Sequence, residues 1–193
     1  MTGIKNEPAE MTGLKNEPAG PPEHNRSKAM AFRSVNEIDQ FSFRDCVIRK
    51  FDIGDDVILE LEALIVLPNN SQNTNFTKSY AGPVTMRLKG GVIRSAVKEG
   101  YKYRDVNGRI LEEVPDRTLT KEEISELPKL CEGQYLYDMQ KLAEDNGIQT
   151  WVLGVECPQQ EEFDTLVTDS WQIAVSFTEA VFSWEFYMNR VES

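Results

Sequence analysis

Val57-Ile-Leu-Glu-Leu-Glu-Ala-Leu-Ile-Val-Leu67 is the stretch that decides the fold class. Val57, Leu59, Leu61, Ala63, Ile65 and Leu67 recur at every second residue, the period at which side chains alternate across a β-strand. The other face is polar at Glu60 and Glu62 and apolar at Leu64 and Val66. That pattern predicts one strand running from a half-exposed position into a fully covered one. Gly54-Asp55-Asp56 supplies a turn before it, and Pro68 with the polar run Asn69–Asn75 ends it in a surface loop.

Period two extends outward from there. Phe41, Phe43 and Val47 alternate with polar residues upstream. Downstream, Thr85–Lys89 reaches Gly90-Gly91 and returns as Val92-Ile-Arg94, which reads as a hairpin. Tyr101–Asp105 meets Asn107-Gly108, a strong hairpin signal, and returns through Arg109–Val114 to Pro115. Trp171, Ile173, Val175 and Phe177, then Phe182, Trp184, Phe186 and Met188, predict an aromatic-rich terminal hairpin whose large side chains form core. Thr120-Lys-Glu-Glu123 is a capping box, predicting one short helix near 121–128 that Pro128 limits to about two turns. Residues 134–143 fit either period, because Tyr135, Tyr137 and Met139 alternate while Leu136, Met139 and Ala143 share a helical face. Their aromatic content and the following Trp151–Val155 run favour a strand. Seven to ten strands at regular spacing define a mostly β domain, an antiparallel β-sandwich or open barrel, over residues 35–193.

Residues 1–34 read as a disordered leader. Met1-Thr-Gly-Ile-Lys-Asn-Glu-Pro-Ala9 recurs as Met11-Thr-Gly-Leu-Lys-Asn-Glu-Pro-Ala19, with only Ile4 and Leu14 differing. Two ten-residue periods are too short for a solenoid. They read as a duplication or as a short linear motif presented twice.

The 193 residues carry 21 Lys+Arg against 32 Asp+Glu, a net charge of −11, with 40% hydrophobic residues. No apolar run approaches the ~18 residues of a membrane span, and no secretory signal is visible. With three widely spaced cysteines, Cys46, Cys131 and Cys157, that predicts a cytoplasmic protein with reduced thiols and no membrane partner. The single histidine, His24, belongs to the leader, so the body has no imidazole for a Ser-His-Asp or Cys-His mechanism or a His-based zinc site. No glycine-rich phosphate loop is present, and Asp105-Val-Asn107-Gly108 lacks the later ligands of a calcium loop. The expectation is therefore a non-enzyme without metal or cofactor. The one carboxylate pair at catalytic spacing is Glu60 and Glu62, about 7 Å apart on one strand face. Exposed strands carry such pairs routinely.

The charge is uneven. Residues 78–104 carry seven basic groups against Glu99, whereas residues 105–193 sum to −13. Tyr80, Tyr101 and Tyr103 interleave with Arg87, Arg94 and their basic neighbours. Such a strip can stack bases and hold phosphate, or it can pair with acidic neighbours in the same fold, and the acidic C-terminal half favours pairing. Overall acidity argues against nucleic acid as the main partner. A short acidic β-rich chain without a catalytic set resembles, as a class, small bacterial binding proteins such as immunity proteins. The leading expectation is an interaction protein whose acidic half engages a basic protein partner. The alternative is a β-barrel or sandwich that binds a small molecule or carbohydrate between aromatics and the Glu60/Glu62 face. Nothing in the sequence sets the oligomeric state.

Overall fold

The computed structural model describes residues 32–160 and 166–191. The tandem repeat and His24 lie outside them, as does the side chain of Cys157. Strand β1 (Phe32–Val35) begins three residues before the boundary expected at Val35. It is followed by β2 (Phe41–Ser42), β3 (Val47–Ile53), β4 (Val57–Glu62), β5 (Ile65–Val66), β6 (Ser79–Ala81), β7 (Val84–Lys89) and β8 (Val92–Lys98). After β9 (Tyr101–Arg104), β10 (Ile110–Val114) and β11 (Arg117–Thr118) comes the one α-helix among the described residues, α1 (Lys121–Cys131). Strands β12 (Tyr135–Asp145), β13 (Ile148–Gln160), β14 (Leu166–Phe177), β15 (Glu179–Trp184) and β16 (Tyr187–Arg190) complete the described chain.

Ten of these strands form one antiparallel sheet in the order β1-β15-β7-β4-β3-β12-β13-β14-β8-β11, open at β1 and β11. A second sheet has the order β16-β6-β5-β2, and β9 with β10 forms a third. The architecture is mostly β and sandwich-like, as the patterning predicts, with the sheets not closed into a barrel.

Two expected hairpins are replaced by one bent ribbon. Strands β7 and β8 do not pair with each other, nor do β14 and β15. Instead β7 lies against β15 and β8 against β14, with Lys89 opposite Glu179 and Val92 opposite Ser176. The register thus passes unbroken through the corner formed by Gly90-Gly91 and Thr178. Gly90 takes φ 60°, its N–H donates to Asp56 Oδ1 at 2.9 Å, and both the N–H and hydroxyl of Thr178 donate to Lys89 O at 3.0 and 3.1 Å. The glycine pair bends a strand here rather than reversing it, because its neighbours across the ribbon bend with it.

Strand β4 buries Val57, Leu59 and Leu61 on one face, as expected. The strand does not continue to Leu67, however. Ala63 sits at φ 57°, outside the extended region, so the chain breaks there and re-enters a different sheet as β5. The Phe41–Val47 run is likewise cut, by a turn in which Cys46 N–H donates to Phe43 O at 3.0 Å.

The interior is filled by Trp184, Phe51, Phe177, Phe182 and aliphatic residues from both halves of the large sheet. Phe41 stacks on Phe182 with centroids 4.2 Å apart, and Phe32 stacks on Trp184 at 5.4 Å with Tyr187 edge-on to both. These rings seat the second sheet on the β1–β15 end of the first. The terminal aromatic run departs from expectation beyond Trp184. Phe186 and Met188 are exposed, because the chain leaves β15 there and joins β6 as an edge strand.

The capping box forms as predicted, with Thr120 Oγ1 accepting from Glu123 N–H and Glu123 Oε2 accepting from Thr120 N–H at 2.9 Å. That second bond, assisted by Arg117 at 2.8 and 2.9 Å, holds the Glu123 carboxyl below its usual range. The helix runs one turn past Pro128 to Cys131, since Leu127 and Cys131 on either side of the proline are both buried and the helix packs on β3.

A Cβ at Gly91 would stand 2.8 Å from both Leu88 O and Val57 N, with backbone on each side unable to yield. Gly108 has φ 81° but nothing within 4 Å. Gly91→Val is therefore predicted to cost about 3 kcal/mol by chemical denaturation. Gly108→Ala costs about 1 kcal/mol, from backbone strain alone. Equal losses at the two sites would contradict a packed corner.

Candidate functional site

The residues singled out in the sequence do not converge. Glu60 and Glu62 project outward from β4, with Glu62 ion-paired to Arg49 and Lys50 directly opposite Glu60. Tyr80 lies on β6 and donates its hydroxyl to Asp45 at 2.8 Å, a bond that raises its pKa. Arg87 lies on β7, 3.5 Å from Asp56, beside Arg33 and Lys89, which flank Glu179 at 3.5 and 2.6 Å. Arg94, on β8, donates to Ser176 Oγ at 3.0 Å. Lys98 meets Asp169 at 2.7 Å and lies over the Trp171 ring at 5.7 Å. The basic stretch is therefore divided among three sheets, and much of its charge meets carboxylates of the same chain. Lys89–Glu179 and Lys98–Asp169 join it directly to the acidic C-terminal half.

Tyr101 and Tyr103 do come together, on a feature the sequence only half reveals. Strands β9 and β10 form a hairpin that pairs with no other strand among the described residues. At its tip Asp105 Oδ1 accepts from the N–H groups of Asn107 and Arg109 at 2.9 Å each, and Gly108 takes positive φ. At its base Gly100 N–H donates to Asp116 Oδ1 at 2.8 Å, and a Cβ on Gly100 would stand 1.9 Å from Val114 O. Both ends are thus defined, and the segment between them stands off the body as an arm.

The register gives the arm two unlike faces. Tyr101 lies opposite Val114 and Tyr103 opposite Glu112, with Tyr101 donating to Glu112 Oε1 at 3.0 Å. Lys102 lies opposite Glu113 on the other face, paired at 2.6 Å. One face is therefore apolar and aromatic with a single carboxylate, and the other is charged. Tyr103 is 62% exposed, Val114 40%, and Val106 at the tip wholly exposed. Val114 and the neighbouring Leu111 were not singled out in the sequence. Counting the pairing back from Asn107-Gly108 would have placed Val114 beside Tyr101.

A depression of about 510 Å³ lies between β2 and β12, with Asp39, Arg44, Tyr137 and Asp138 over an apolar floor. The Tyr137 ring covers Gly154 and its hydroxyl accepts from Gln172 Nε2 at 2.7 Å. Cys46 is fully buried, and burial pushes its thiol up to about 12, so it stays protonated at neutral pH. Among the described residues no group of three or more His, Cys, Asp or Glu is arranged to hold a metal ion, and no helix is long and apolar enough to cross a membrane.

No protein-family model matches the chain, and neither do any curated protein or solved structure. The geometry of its surface is what bears on its function.

If the arm is surface rather than core, Tyr103→Ser will change the unfolding free energy by no more than about 0.5 kcal/mol. Phe182→Ala in the interior will cost about 3–5 kcal/mol. A loss above 1 kcal/mol at Tyr103 would show that the arm supports the fold.

Proposed function

We propose that the protein is a non-enzymatic, cytoplasmic interaction protein that docks on a basic protein partner through the β9–β10 arm. The observation that carries this reading is the exposed apolar face at Tyr103 and Val114, with Tyr101 half-exposed beside them, on a hairpin that is held at base and tip and pairs with no other strand among the described residues. A two-stranded hairpin is marginal alone in water, and exposed aromatics on such an element are the residue type that anchors interfaces. Glu112 stands among them and would meet a cation within the contact. The excess of carboxylates over residues 105–193 favours approach by a basic surface.

The test is retention of a host protein by the immobilised chain at ~50 mM and ~500 mM salt, with Tyr103→Ser in parallel. The proposal expects a basic protein held at low salt, released at high salt and lost in the variant. Retention that ignores both salt and Tyr103, or no retention at low salt, would overturn it. The depression beside Asp39 and Asp138 favours a second reading, binding of a small polar molecule. A ligand of that kind would raise the melting temperature of the wild type but not of Asp138→Ala.

A further inference from the structure

The second sheet has its own uncovered face. Its inner side, with Phe41, Val66, Ala81 and Tyr187, packs on the aromatic cluster. Its outer side carries Tyr80, Phe186 and Met188. The register shift between Tyr187 and Arg190 sets Met188 and Asn189 together opposite Tyr80. The Phe186 ring lies over Gly82, where a Cβ would come within 2.9 Å of it. Phe186 and Met188 are nevertheless 50% and 49% exposed. Met188 sits on β16 and Phe186 directly precedes it; β16 is the edge strand of the sheet, and among the described residues its outer backbone edge pairs with no further strand.

The position of Phe32, the first described residue, bears on which segment could reach this face. Strand β1 runs antiparallel to β15, with Phe32 opposite Trp184 and the Phe32 ring 5.0 Å from that of Tyr187. The first described residue, Phe32, thus stands beside Tyr187 on β16, the strand that carries Met188. The chain upstream of Phe32 contains the repeated unit of Met1–Ala9 and Met11–Ala19. Each unit pairs a methionine with an aliphatic residue three positions on, and the two copies differ only by the apolar exchange of Ile4 and Leu14. The dozen residues between Ala19 and Phe32 can span up to about 40 Å, so either unit can reach the face.

We propose that the outer face of the second sheet, at Phe186, Met188 and Tyr80, is the docking site for the chain's own repeated unit, Met-Thr-Gly-aliphatic-Lys-Asn-Glu-Pro-Ala. The methionine and the aliphatic residue cover the exposed side chains of β16. Two copies on one tether raise the chance that the face is filled at any moment, since each rebinds at the concentration set by the linker. The site is separate from the β9–β10 arm, so its occupancy does not depend on the function proposed above.

Trypsin cleavage after Lys5 and Lys15 reads this directly in the full chain, with the synthetic peptide of residues 1–20 as the reference. The proposal expects cleavage at one or both sites at least about fivefold slower in the chain than in the peptide. It also expects the rate to return to that of the peptide in Met188→Ser and in the double variant Ile4→Ser/Leu14→Ser. The double change lies in the leader and leaves the core side chains intact. Peptide-like rates at both sites in the wild type would overturn the proposal. So would a slowing that survives in both variants.

Discussion

Close backbone approach at one corner sets the form of the large sheet. Where β7 becomes β8, Gly91 lies against the amide of Val57, and Lys89 O receives two bonds from Thr178. A side chain at position 91 would hold these backbones apart. With glycine there, two strands turn together without losing register, so a single ribbon serves both halves of the sheet. Its inward residues, Met86, Leu88, Ile173, Val175 and Phe182, belong to one core. Ten strands are thereby packed around one interior, and α1 is anchored beside β3 by Leu127 and Cys131. Elements away from this interior, the arm above all, are left to face solvent.

The sequence made the strand-rich class, the capping box and the Asn107-Gly108 turn legible, because each depends on local chemistry. Pairing partners were not legible. Gly90-Gly91 and Thr178-Glu179 look like hairpin turns in isolation, and only a neighbour bending at the same point makes each a corner. The ambiguity over residues 134–143 has a definite cause. A register shift between Leu136 and Asp138 brings Leu136 and Met139 to the same side, which imitates a helical stripe within a strand. Strand β3 does the same with Ile48 and Phe51 across the shift between Ile48 and Lys50. Asn146-Gly147, with φ 50° and 78°, closes the β12–β13 hairpin and is a local signal for that turn.

The candidate site was legible only in part, for a related reason. Charge runs along the chain do not become charge patches in space when neighbouring strands carry the opposite sign. Arg87, Lys89, Lys98 and Lys102 each meet a carboxylate brought in by the topology. Exposed ion pairs of this kind add little to stability, but they cancel the local field that a nucleic-acid strip would need. Tyr101 and Tyr103 drew notice in the sequence as stacking groups among basic residues. In the structure they draw notice for a different reason, as half of an apolar face completed by Val114 on the return strand. The described interior is occupied mostly by aromatic and aliphatic side chains, and the arm and the depression beside Asp138 lie on the outside of the molecule.

Native-state hydrogen exchange tests the central claim most directly, because it reports the bent ribbon and the projecting arm in one experiment. The account predicts that amides of Met86, Ile173, Val175 and Phe182, which lie on both sides of the corner, exchange through one cooperative opening at the global unfolding free energy. It predicts much faster exchange for the β9–β10 amides between Tyr101 and Val114. Separate opening free energies on the two sides of the Gly90–Thr178 corner, or arm amides as slow as those of the ribbon, would contradict it.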